Sequence, residues 1–145
     1  MTRRSNRKLT QEACNAIATC LDNPRGFRTW CAGNTSVALS AVKFNQMVIE
    51  VCLYGRVIAE ITEDGILVRN GGFFDSRGLP SRTTRERLNG ILDLLGYRKL
   101  IPDGVRVFIS ENECKVGKGH RAEPLDKDHP SVVVLFDREL VNVRR

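Results

Sequence analysis

The chain has 145 residues, 41% of them apolar and 28% charged, with a formal net charge of +6, the balance of a globular chain large enough for one buried core. No apolar run approaches the roughly 20 residues of a membrane-spanning helix, and the basic start MTRRSNRK leads into no apolar segment of the secretory kind, so a cytosolic protein without a membrane partner is expected. Five cysteines with no CxxC pair speak against a disulfide framework or a zinc site and read as thiols packed as small hydrophobes.

The positive excess is confined to the ends. Without the basic residues at positions 3, 4, 7, 8, 144 and 145, the remaining 17 Lys and Arg balance the 17 acids. A single domain over 1–145 is expected, with residues 1–8 as a basic tail, 35–116 as the core sheet and helix, and 117–130 as a mobile loop. A basic arm adds salt-dependent affinity for phosphates, and a solvated terminus explains the same charges.

In chain order, Thr10 is placed to cap a short helix whose Ala13, Ile17, Cys20 and Leu21 share one face, stopped by Asn23-Pro24. Arg25–Asn34 reads as irregular, with the lone Trp30 as a packing anchor. Thr35–Val42 and Met47–Leu53 have strand composition, with a polar break around Asn45. Tyr54-Gly55-Arg56 turns the chain into Val57–Thr62, and Asp64-Gly65 is a hairpin signal before Ile66–Arg69. Short connections between these runs predict an antiparallel meander.

Phe73–Ser81 holds Gly78 and Pro80 and reads as a loop. Thr83 with Glu86 three residues later matches a capping box. The helix it opens buries Leu88, Ile91, Leu92 and Leu95 and stops near Gly96. Pro102-Asp103-Gly104 turns into a strand at Val105–Ile109, Glu111-Asn112 turns again, and Cys114–Val116 is a short strand. Val132–Phe136, the most apolar run, reads as a central or interface strand. The fold class is α+β, an antiparallel sheet packed by one or two helices.

Chemistry-bearing patterns are sparse. His120 and His129 show no metal-ligand spacing, and KVGKGH lacks the phosphate-loop pattern. No catalytic residue, metal or cofactor is expected. An enzyme acting on a nucleotide or phosphoester has only the arginine cluster and Glu86 in its favour, so the chain is read as a non-enzyme.

What stands out is the second helix start. A helix N-terminus carries partial positive charge and favours acids, yet Arg82, Arg85 and Arg87 crowd this one. A phosphate reverses that repulsion, because each guanidinium gives two parallel hydrogen bonds and the free backbone N–H groups add more. Gly71-Gly72 allow close backbone approach, Phe73 and Phe74 offer a ring for a base to stack on, and Asn89, four residues after Arg85, has an amide suited to an adenine edge. The structural alternatives stay open: both rings as core, Asn89 bridging to a neighbouring loop, and Arg82 paired with Glu86.

Gly55, Arg56, Ile58 and Ala59, then Gly71, Gly72 and Phe73, then Thr83, Thr84, Arg85, Arg87, Leu88 and Asn89 form a pattern that resembles a set of small tailed-phage proteins. That set is similar to the first type of Thoeris anti-defence protein, which binds cyclic ADP-ribose isomers made by TIR-domain enzymes and holds them uncleaved. The resemblance spans roughly residues 47–110. It implies that Phe73 or Phe74 stacks the adenine, that Asn89 hydrogen-bonds it, and that Arg106 grips the pyrophosphate. It also implies a homo-oligomer, a dimer or hexamer. The loop between Phe73 and Thr83 is longer than the pattern's. The expected ligand-binding set is Phe73, Phe74, Arg82, Thr83, Thr84, Arg85, Asn89 and Arg106. The expected role is phage anti-defence by sequestering a nucleotide-derived signal, a cyclic ADP-ribose isomer or cyclic oligonucleotide, in the infected host's cytoplasm. The alternative is a nucleic-acid-binding, anti-restriction or anti-CRISPR phage protein acting through its basic tails and arginine-rich helix.

Overall fold

A computed structural model of the protein describes residues 5–40 and 47–137. The first helix, α1 (Asn6–Asp22), starts a turn earlier than Thr10. Ser5 is its cap, accepting from the Lys8 N–H at 3.1 Å. Thr10 lies inside the helix and donates to the Asn6 carbonyl at 2.9 Å. Arg7 and Lys8, expected in a solvated tail, are therefore the helix's first turn; Arg3, Arg4, Arg144 and Arg145 lie outside the described residues. Leu9, Ala13, Ala16, Ile17 and Cys20 are buried, and Leu21 sits at the margin of the core. Asn23 ends α1 and nucleates the 3-10 turn Pro24–Gly26 by accepting from the Gly26 N–H.

The six-stranded antiparallel sheet has the order β1 (Trp30–Ala32), β2 (Thr35–Ser40), β3 (Val48–Leu53), β4 (Arg56–Ile61), β5 (Gly65–Arg69), then the last strand, β9 (Ser131–Leu135). The expected meander is there, extended at both ends. The segment read as irregular contains β1, whose Trp30 packs half-buried on the core. The Ala41-Val42 end of the second predicted strand and the Asn45 break fall outside the described residues. Val37, Ile49, Val51, Leu53, Ala59, Ile61, Ile66, Val68 and Val132 form the core face with the helices. Glu50, Glu60, Leu67 and Val133 alternate with them on the other face, as strand geometry requires. Ile58 is an extra residue between the Val51–Ala59 and Cys52–Val57 pairs, a bulge that lets both Ile58 and Ala59 be buried. Gly71 answers it: its φ is +74° and a Cβ there would lie 2.8 Å from the Ile58 methyl.

The second helix, α2 (Arg82–Tyr97), is capped by Ser81. Ser81 Oγ accepts from the Thr84 N–H at 3.2 Å, in place of the expected Thr83–Glu86 box, while Glu86 pairs with Arg82. Leu88, Ile91, Leu92 and Leu95 are buried as the spacing predicts. Gly96 does not stop the helix. Lys99 does, at φ +62°, with Lys99 N–H bonded to the Gly96 carbonyl and Leu100 N–H to the Leu95 carbonyl, the double closure of a left-handed cap.

A second sheet pairs β6 (Arg106–Ser110), β7 (Glu113–Gly117) and β8 (Glu123–Pro124). Glu111 and Asn112, both at positive φ, make the two-residue β6–β7 turn. The stretch 117–130, read as a mobile loop, contains the 3-10 turn Gly119–Arg121 and β8. Leu125 is fully buried and donates to the Cys114 carbonyl, and the Asn70 amide donates to the Asp126 carbonyl at 2.8 Å. Among the described residues β9, expected to be a central or interface strand, is an edge strand: β5 lies on one side of it, and Val133 and Leu135 are 58% and 67% exposed. With two helices against one face of an antiparallel sheet, the class is α+β as expected. Among the described residues no helix is long and apolar enough to cross a membrane.

Candidate functional site

The two helices run side by side in the same direction, so their N-termini share one end of the molecule. Arg87 of α2 reaches Asn6 and Thr10 of α1, Gly90 lies against Thr10 and Cys14, and Arg98 pairs with Asp22. Neither first turn contains an acid. Two parallel helix dipoles therefore present positive ends together, with Arg7, Lys8, Arg82 and Arg85 around them.

Arg87 welds that end together. Its side chain is 1% exposed and every N–H finds an oxygen. Nε donates to Thr35 Oγ1 at 3.0 Å, Nη1 to the Asn6 carbonyl and Thr10 Oγ1 at 2.8 Å each, and Nη2 to Asn6 Oδ1 and Asn34 Oδ1 at 3.2 Å each. All these acceptors are neutral, and burial lowers the Arg87 pKa from its ordinary value. The donors counted as part of an anion grip are thus consumed by the fold. One signal was available in the sequence: on the helical period Arg87 falls on the buried face with Thr84, Leu88 and Ile91.

Other expected residues also serve the scaffold. Thr84 is buried beneath the cap, its hydroxyl 2.9 Å from Ser81 Oγ. Arg85 donates from Nε to the Pro80 carbonyl at 3.2 Å and holds the preceding loop. Asn89 uses both ends of its amide on β6: Nδ2 donates to the Val107 carbonyl at 3.0 Å and Oδ1 accepts from the Val107 N–H at 2.8 Å.

Arg82, Thr83, Asn89 and Arg106 do come together, along a groove of about 630 Å³ between the helices that Arg7 and Gln11 of α1 also line. Arg82 is 85% exposed and pairs with Glu86 at 3.1 Å; Arg106 approaches Asp93 at 3.8 Å. Exposed pairs of this kind are weak and exchange readily for a stronger anion.

Neither phenylalanine lines that groove. Phe74 sits under the Lys127 ammonium, 5.4 Å from its ring centre. Phe73 belongs to a cluster the sequence reading missed. Its ring meets Tyr54 edge-on at 5.3 Å, and the Arg56 guanidinium lies 5.5 Å from the ring centre. Tyr54 is 63% exposed, held out at φ +52° in the β3–β4 turn by its N–H bond to the Asn34 carbonyl. Asn34 is also the Arg87 partner, and the Phe73 carbonyl accepts from the Ser81 N–H at 2.9 Å. The aromatic cluster and both helix starts are thus one contiguous end of the molecule.

Set against known protein families, one sequence pattern matches residues 6–123. The chain belongs to the Kyanoviridae Gp96 protein family. No curated protein and no solved structure matches it. The family is one of phage proteins, in keeping with the expected tailed-phage origin; the match gives no likeness to the Thoeris anti-defence proteins. Within this Gp96 family member, the matched span runs from the first residue of α1 to the first of β8. It takes in the groove, the Arg87 weld and the Tyr54–Phe73–Arg56 cluster, and ends before β9.

Proposed function

We propose that this phage protein binds a nucleotide-type ligand at the shared helix end and holds it without cleaving it, removing a nucleotide-derived signal in the infected host. The observation that carries this reading is the contiguity of an exposed aromatic–guanidinium cluster with two acid-free helix N-termini. Tyr54 and Phe73 offer faces and edges for a base, which stacking stabilises by about 1–3 kcal/mol. The helix starts with Arg7, Arg82 and Arg106 offer donors for phosphate. Base recognition by Asn89 is not part of the proposal, because its amide is engaged by Val107. Nor is a buried pyrophosphate grip by Arg106, which stands exposed beside Asp93.

The test is equilibrium dialysis of the full chain against cyclic ADP-ribose isomers and cyclic oligonucleotides, followed by denaturation and analysis of what is released. Intact ligand, bound in the micromolar range or tighter, supports the reading; hydrolysed product or no binding to any of the panel overturns it.

A second reading, binding to nucleic acid, is favoured by the openness of the groove and by the basic residues leading into α1. It requires affinity for DNA or RNA that falls steeply with salt and with removal of residues 1–4.

A further inference from the structure

We infer that β9 is a self-pairing edge through which two copies of this chain join their six-stranded sheets. The inference is independent of the nucleotide reading. The hydrogen bonds at the two ends of the β5–β9 ladder fix which groups are free. Asn70 N–H donates to the Pro130 carbonyl and Phe136 N–H to the Asp64 carbonyl. With the register Ile66–Val134 and Val68–Val132 between them, the even-numbered residues of β9 bond to β5. The N–H and C=O groups of Ser131, Val133 and Leu135 therefore point away from the sheet. No hydrogen bond from the described residues reaches them, whereas the next outward group, Asp137 N–H, is taken by the Leu100 carbonyl.

Edges of this kind are normally blunted by a charge, a proline or a bulge. Ser131–Leu135 (SVVVL) has none of these on its outer side, and Pro130 turns its missing N–H toward β5. Val133 and Leu135 are exposed on the helix-free face beside Leu67, the cross-strand neighbour of Val133.

A two-fold axis through Val133 satisfies the edge in one step. It sets Val133 against Val133 of the second copy and Ser131 against Leu135, each an outward-facing residue meeting another. Opposed side chains lie on one face, so Val133, Leu135 and Leu67 of both copies form a continuous apolar patch. No charged side chain lies within the paired segment to repel its copy.

Sedimentation of the full chain over a wide concentration range tests the pairing. The expected result is a mass that rises to twice that of the chain. Val133→Lys, at an exposed position, should keep the melting temperature and lose the dimer; Val133→Pro, which removes an outward N–H and no bond to β5, should lose it too. Val133→Cys should give a dimer cross-linked through residue 133, since hydrogen-bonded partners about 5.5 Å apart suit a disulfide. A monomer at every concentration would overturn the inference and leave the edge to a strand of another protein. A dimer unchanged by both Val133→Lys and Val133→Pro would overturn it in favour of a different interface.

Discussion

The Asn89 side chain pairs with the Val107 backbone as another strand would, donating to its carbonyl at 3.0 Å and accepting from its N–H at 2.8 Å. β6 is an edge strand of the small sheet, and this amide closes its exposed side against α2. Asn89→Ala leaves both Val107 groups unpaired and should lower stability by about 1–3 kcal/mol. Denaturant unfolding measures it. Asn89→Asp, which keeps the acceptor and loses the donor, should fall between. Unchanged stability in both variants would show that the pairing contributes nothing.

Arg87 should be the most sensitive polar position. Arg87→Ala opens a cavity and strands the oxygens of Thr35, Asn6, Thr10 and Asn34, a loss of roughly 3–5 kcal/mol. Arg87→Lys keeps the charge but has fewer donors and no fork, so it should rescue less than half of that loss. Melting temperature reads both.

Binding should separate from stability at the exposed residues. Tyr54→Ala removes a stacking face and should weaken a nucleotide ligand by about 1–3 kcal/mol. Arg82→Ala should weaken it by a smaller amount that shrinks further as salt rises. Calorimetric titration of each variant alongside its melting curve distinguishes this from a folding defect. An equal loss of melting temperature in both would remove these residues from the site.

The turn after β8 should respond to acid. Partial desolvation pushes the Asp126 carboxyl up, but hydrogen bonds from the His129 ring and from the backbone N–H groups of His129 and Asp128 outweigh it, and the net shift is downward. A depressed folded-state pKa stabilises above the unfolded value and is lost as pH falls through the folded one. Protection of the Asp128 and His129 amides, taken relative to the intrinsic exchange rate at each pH, should therefore hold at neutral pH and fall below about pH 4. Asp126→Asn should remove that acid step.

Thiol labelling should follow burial. Cys31 is exposed, whereas burial is the main cause that pushes Cys14 and Cys114 up to about 11. At neutral pH an alkylating reagent should modify Cys31 first and reach Cys14 and Cys114 only on unfolding, as peptide mass analysis would report.

Local elements are legible in the chain, because apolar period and turn chemistry are short-range properties written within a few residues. Glu111-Asn112 and the Leu88–Leu95 stripe could be read directly for that reason, whereas the Asp64-Gly65 signal marks the hairpin but not its turn, which is Glu63-Asp64, with Gly65 already the first residue of β5. Helix starts were legible only to within a turn, since Ser5 and Ser81 compete with Thr10 and Thr83 as equally good caps. Tertiary structure alone decided which polar side chains remain available. Arg87 and Asn89 look like ligand groups in one dimension, but their partners Asn34 and Val107 lie 53 and 18 residues away in the chain. A buried donor must find an acceptor wherever the fold brings one. The same folding gathered Tyr54, Arg56 and Phe73 at the helix starts and left β9 at an edge, because strand order depends on long-range pairing that no local pattern contains.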